Sequence, residues 1–197
     1  MKTFLTLPLT FLVLLNAYAI ERPVYTVLEK DGAMEIRQYE EYFVAQTEYD
    51  GSTSEGFKRL FKYISGHNKA QLEIEMTAPV TRQDSVEIEM TSPVTIENGS
   101  DSKIMSFLVP SRFSESEIPV PLDERVQIIK IPSRIVATHT YSWFATQSRN
   151  QRKAEELKSW LEKNNDYQIA EGPIYAGYDA PMTLPNKKTH EMMFVLK

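Results

Sequence analysis

The run Val44-Ala-Gln-Thr-Glu-Tyr49 returns as Val136-Ala-Thr-His-Thr-Tyr141, an offset of 136 − 44 = 92 residues, and each copy stands shortly before a helical stretch. Six residues constrain little alone, but the order of elements around them repeats too. Residues 24–28 and 33–38 read as strands around the turn signal Lys30-Asp31-Gly32, and residues 42–49 alternate as a third strand. Residues 52–66 read as a helix. Ser52 with Glu55 fits a capping box, Phe57, Leu60, Phe61 and Ile64 make one apolar stripe, and Gly66 suits a left-handed stop. Further strands are expected over 103–109, 126–131 and 135–141. A second helix over 147–164 carries Ala154, Leu157 and Leu161 inward and Trp160 on its flank, and strands over 174–178 and 192–196 follow. Strands, a helix and strands in each half predict an α+β domain of two related halves sharing one antiparallel sheet, with both helices on one face.

A second repeat is shorter. Ile74-Glu-Met-Thr-Ala-Pro-Val80 is followed by Ile88-Glu-Met-Thr-Ser-Pro-Val94, an offset of 88 − 74 = 14 residues. Proline lacks an N–H and belongs at strand ends, edges or bulges, and it keeps the residue before it extended. The pattern predicts an antiparallel hairpin turning over residues 81–86, with Met76 and Met90 at equivalent positions on its arms. Methionine there is either a gap-filler of the core or a deformable wall for a flat apolar ligand.

The first 19 residues stand apart. Lys2, an apolar run over residues 4–15 and Ala17-Tyr18-Ala19 have the pattern of an export leader, too short to span a bilayer. The expected division is a signal peptide over 1–19 and one domain over 20–197, periplasmic or secreted after cleavage, with no stable membrane span. A net charge of −5 argues against a nucleic-acid partner, which needs a basic face. The absence of cysteine removes disulfides, thiol nucleophiles and thiolate–metal sites. Asn98-Gly99-Ser100 matches a glycosylation sequon and reads as a turn.

The helix end Lys62-Tyr-Ile-Ser-Gly-His-Asn68, Met76-Thr-Ala-Pro-Val80, and the C-terminal run Ala176-Gly-Tyr-Asp-Ala-Pro-Met-Thr-Leu-Pro-Asn-Lys-Lys-Thr-His-Glu-Met-Met-Phe-Val-Leu196 resemble the SOUL haem-binding protein family, over essentially all of residues 24–196. With the leader, the chain resembles an exported bacterial member. The resemblance implies a distorted antiparallel β-barrel or sheet of two pseudo-symmetric halves with two main helices. It also implies reversible, non-covalent haem or related tetrapyrrole binding, as a carrier, buffer or scavenger, beside the first helix and the loop over 178–184. Carried onto this sequence, the cleft is lined by Phe57, Phe61, Tyr178 and Met182, with Lys62 near a propionate and the repeat methionines Met76 and Met90 as soft wall. Thr183 stands where some members have a basic residue, so Lys187 or Lys188 supplies the second cation.

The residues themselves suit that ligand: haem is an apolar disc with two carboxylates, and one helical turn offers Phe57 and Phe61 with Lys58 and Lys62. The same residues also describe an ordinary amphipathic helix with a solvated basic flank. His67, His139 and His190 have no metal spacing among them, so haem is expected without a strong axial ligand. Glu73, Glu75, Glu87 and Glu89 alternate with apolar residues as a solvated strand face does, and no nucleophile elbow or phosphate loop is present. A non-enzymatic binder is therefore expected. The alternatives are a small-molecule hydrolase on the related gyrase-inhibitor-like fold, using Glu191 and Tyr178, or a protein-interaction module that takes no tetrapyrrole.

Overall fold

The computed structural model describes residues 21–70, 85–99, 102–163 and 167–197. In chain order the elements are β1 (Tyr25–Asp31), β2 (Met34–Tyr39), β3 (Tyr42–Tyr49), α1 (Thr53–Ile64), β4 (Asn68–Lys69), β5 (Val94–Asn98) and β6 (Lys103–Leu108). They continue as β7 (Val120–Pro121), β8 (Val126–Ile131), β9 (Arg134–Tyr141), α2 (Gln147–Lys163), β10 (Ile169–Gly177) and β11 (His190–Leu196).

Nine strands form one antiparallel sheet in the order β1-β2-β9-β11-β10-β5-β6-β3-β8, and β4 pairs with β7 apart from it. The α+β expectation holds. The sheet is open: β1 and β8 are its two ends, and among the described residues no sheet closes into a barrel.

The two halves superimpose as a pattern of pairings. β3 lies between β6 and β8 as β9 lies between β11 and β2, and β5 meets β10 in the middle. The repeated hexapeptide occupies matching places in that pattern. Ala45 pairs with Phe107 and Ile128, while Ala137 pairs with Phe194 and Ile36. Each alanine keeps the sheet surface low where a helix crosses it: α1 packs on β3, β6 and β8, and α2 on β9 and β11. Both helices lie on one face. Directly opposed residues in antiparallel strands share a face, and the row Met34, His139, Met192, Tyr175, Ile96, Met105, Thr47 runs unbroken across seven strands from one helix's core to the other's. The pseudo-two-fold axis passes between Ile96 and Tyr175, which pair with each other.

α1 is turned relative to its predicted stripe. Gly56, Arg59, Leu60, Tyr63 and Ile64 face the core, whereas Phe57 is half-buried and Phe61 exposed. Tyr63 takes the inward place because its hydroxyl finds a buried partner, donating to Pro119 O at 2.8 Å. Arg59 is buried with its donors satisfied by Thr47 Oγ1, Glu48 O and Glu55 Oε1 at 2.7–2.8 Å. Glu55 is thus drawn to Arg59, and Ser52 stands at the N-cap position without closing the capping box. Gly66 does adopt the left-handed conformation, at φ 98°.

The hairpin expectation is corrected where it can be compared. Its first arm, with Met76, lies outside the described residues. In the second, Glu87 makes a bridge to Ser65, the Ile88 N–H donates to Ile64 O at 2.8 Å, and no strand begins before Val94. Competing partners explain this: the Thr91 hydroxyl donates to Leu108 O, the Ser92 N–H to Glu21 O, and Pro93 has no donor. Ile88, Thr91 and Ser92 are buried and Met90 points outward, so the simple two-residue alternation fails here.

Candidate functional site

The outer surface of α1 carries an aromatic plate. Phe57 and Phe61, one turn apart, stack with ring planes 13° from parallel and centroids 6.0 Å apart. Phe57 is anchored edge-on against Phe107 of β6, at 5.3 Å and 63°. Phe61 rests on it and remains 46% exposed. The plate therefore has a rigid base and an open upper surface. Lys58 and Lys62, both exposed, stand one turn apart on the same helix, and neither has an ion-pair partner among the described residues. Beside them, Arg59 and Arg125 share a shallow depression with Glu55 and Asp123, but those carboxylates are already held by Arg59 and Arg125 at 2.8 Å. The Arg125 guanidinium holds the Asp123 carboxyl down to about 2. Among the described residues the uncompensated charge on this surface is the lysine pair. Lys62 also borders a small recess with Ser65, Gly66 and His67, at the helix end where the second repeat copy is tied by Ile88.

The opposite, helix-free face of the sheet holds a narrow cleft between the halves. Tyr39, Tyr42 and Tyr178 wall it together with Val44, Leu108 and Ile174, and its volume is about 140 Å³. Burial raises the Glu97 carboxyl at its rim. Ligand pockets for drug-sized molecules occupy roughly 300–1,000 Å³, so this cleft is smaller than such a site.

Under the cleft lies a buried charged network that sequence reading did not anticipate. Arg37 reaches Glu191 with both Nη atoms, at 3.1 and 2.9 Å, and its Nε donates to Glu35 at 2.7 Å. Glu191 also accepts from Thr140 Oγ1 at 3.1 Å and from the Tyr178 hydroxyl at 2.5 Å. Burial, with the Glu191 carboxylate beside it, pushes the Tyr178 phenol far above its ordinary range. Period-two alternation does place Glu35, Arg37 and Glu191 on one face, but a charged residue at such a position reads as solvated until its strand is known to be covered.

The sequence-predicted site residues therefore divide. Phe57, Phe61 and Lys62 come together on α1. Met90 lies two residues beyond the Ile88 anchor at the same helix end and is exposed. Tyr178 is on the other face of the sheet, bound to Glu191 and covered by the Arg22 guanidinium at 4.6 Å from its ring. Met182, 93% exposed, and Lys187 stand in solvent on the loop between β10 and β11 and build no wall with α1. Lys58 completes the α1 surface. His139 and His190 are both buried in hydrogen bonds, to Lys153 O and to Trp143 O, and no cluster of three metal-binding side chains occurs among the described residues.

An open aromatic plate beside two unpaired lysines has the make-up of a surface for a flat apolar anion. Known proteins agree in class. The sequence pattern of the "SOUL heme-binding protein" family matches residues 20–195. The chain belongs to that family. It is 28% identical to heme-binding protein 2 of Homo sapiens over 183 residues, covering 87% of this chain and 84% of that one. It is also 28% identical to heme-binding protein 1 of Xenopus laevis over 173 residues, covering 85% and 86%. The fold recurs at much lower identity. The EcmrR C-terminal domain matches with a TM-score of 0.56 at 13% identity, over 88% of this chain and 98% of that one. A hydrolase from Listeria innocua matches with a TM-score of 0.55 at 8% identity, over 86% and 94%.

Proposed function

We propose that this chain binds haem or a closely related tetrapyrrole reversibly, as a carrier or buffer, on the outer face of α1. The observation that carries the reading is the Phe57–Phe61 stack, anchored below by Phe107 and open above, with Lys58 and Lys62 beside it. Membership of the SOUL heme-binding protein family supports the ligand class. Phe61 would take one face of the porphyrin and shield it from water, and Lys58 and Lys62 would neutralise the propionates. Bound haem would supply its own iron chemistry. The chain's part is to hold the disc and neutralise its carboxylates.

The hydrolase reading has less support. Both oxygens of Glu191 are engaged by Arg37, and one of them also accepts a hydrogen bond from the Tyr178 hydroxyl, which keeps its proton. A carboxylate fixed in a buried ion pair is a poor general base, because moving it would strand the arginine. The match to a hydrolase structure at 8% identity speaks only to fold.

Export belongs to the same proposal: the Ala17-Tyr18-Ala19 ending, with a family match that starts at residue 20, supports cleavage after Ala19 in an exported member. Intact-mass measurement of the secreted chain should give a species beginning at Ile20, and retention at full length in the cytosol would contradict it. For the ligand, a hemin titration of the chain from Ile20 should give a saturable Soret change at one haem per chain. An unsaturable change, equal to that of an unrelated acidic protein, would overturn the proposal.

A further inference from the structure

A second surface, at one end of the sheet, is unused by the haem proposal. Two loops meet there, one between β9 and α2, the other between β10 and β11. The Trp143 N–H donates to Pro185 O at 2.9 Å, and His190 Nε2 donates to Trp143 O at 2.8 Å while its Nδ1 meets the Tyr175 hydroxyl at 2.9 Å. These bonds hold Trp143 at φ 76°, a conformation that bulky residues rarely adopt. The fold thus keeps a strained tryptophan whose side chain stays 51% exposed. Around it Phe144 is 58%, Leu184 67% and Met182 93% exposed.

The charge here departs from that of the whole chain. Lys187 is exposed and has no ion-pair partner among the described residues, and the Lys188 ammonium is bound only to Pro181 O at 3.2 Å. Arg149 and Asp179 are the other charges near His190, and Asp179 accepts from the Thr189 N–H. This end is net positive in a chain whose total is −5.

We infer that this tip docks on an anionic lipid surface. Trp143, Phe144, Met182 and Leu184 are exposed side chains carried on two loops that are tied to each other. Tryptophan, phenylalanine and leucine beside lysine suit a bilayer interface, where the apolar parts enter the acyl boundary and the ammonium groups meet headgroup phosphates. A two-fold copy of the chain is disfavoured as the occupant, since an isologous contact would set the lysines against each other. The net negative charge elsewhere repels such a surface and orients the approach. Attachment is peripheral: no helix among the described residues is long and apolar enough to cross a membrane.

The test uses the chain from Ile20, which contains every element of the fold, and vesicles of equal parts phosphatidylglycerol and phosphatidylcholine. In a Trp160→Phe background Trp143 is the sole tryptophan, and its emission should shift to the blue on mixed vesicles but not on pure phosphatidylcholine. Phe144→Ser with Leu184→Ser should weaken binding at least tenfold. Each lysine near an anionic surface contributes about fivefold, so Lys187→Gln with Lys188→Gln should weaken it about 25-fold. Phe61→Asp, which removes the proposed haem plate, should leave vesicle binding intact. The inference is overturned by equal binding to neutral vesicles, by binding that both tip variants retain, or by loss of binding in Phe61→Asp. A concentration-dependent dimer abolished by Phe144→Ser with Leu184→Ser would assign the tip to self-association instead.

Discussion

Individual side chains in this protein are read correctly only when strand register is known. Met90 and Met105 illustrate the point. Met90 sits in a repeat whose pattern reads as core filler or ligand wall, and it is exposed, while Met105 is fully buried between β3 and β5. Deleting a buried methionine side chain costs about 2–5 kcal/mol, so Met105→Ala should lower the urea midpoint sharply. Met90→Ala should fall within about 0.5 kcal/mol of the parent, the range of surface changes. Equal losses would show that residue 90 is packed after all. The sequence misleads here because Thr91 and Ser92 have hydrogen-bond partners that a strand alternation ignores. Glu35, Arg37 and Glu191 mislead in the opposite sense, as charged residues whose burial depends on partners up to 154 positions away.

At the scale of elements, the helices and most strands are legible because their signals are local. Residues 42–49 and 126–131 are predicted with the observed bounds, and α2 begins at Gln147 as expected. The rotation of α1 is not local. It is set by Tyr63 reaching Pro119 and by the contact between Gly56 and Tyr49. A Cβ at Gly56 would come within 2.8 Å of Tyr49 Cδ1, with two further ring atoms at 3.2 and 3.3 Å. Alanine normally favours a helix by about 1 kcal/mol over glycine. Here overpacking against a buried ring should dominate, and Gly56→Ala should destabilise by about 1–3 kcal/mol in chemical denaturation. A stabilised variant would mean that Tyr49 moves aside at little cost and that α1 is free to roll.

For the whole molecule, the hexapeptide echo and the repeated element order carry the two-fold plan, because equivalent positions need equivalent residues: an alanine under each helix and a phenylalanine opposite it. What they do not carry is closure, since whether β1 and β8 meet depends on sheet curvature summed over nine strands. The folded chain also has a pH dependence. Burial lowers His139, beside Lys153 and Glu156, and His190, beside Lys188, Asp179 and Arg149. The unfolded chain therefore takes up protons below about pH 6.5 while these two histidines stay neutral when folded. Their contribution is fully favourable above that pH and is lost as pH falls toward the lowered values. Urea midpoints should drop between about pH 7.5 and 5, and less so in His139→Gln. A flat profile across that window would contradict the buried, neutral histidines.

The central claim is that the α1 plate holds the tetrapyrrole. Its most direct test compares hemin affinity in Phe61→Asp, Lys62→Ala and His67→Ala, each first shown to be folded by far-UV circular dichroism. An exposed lysine–carboxylate contact contributes about 0–1 kcal/mol, so Lys62→Ala should weaken binding less than tenfold. Phe61→Asp places an unpaired charge against the porphyrin face and should weaken it far more than Lys62→Ala. His67→Ala should leave the Soret spectrum largely unchanged. If instead His67→Ala abolishes binding while Phe61→Asp spares it, the site is an axial-histidine site and the α1 plate is not where the ligand sits.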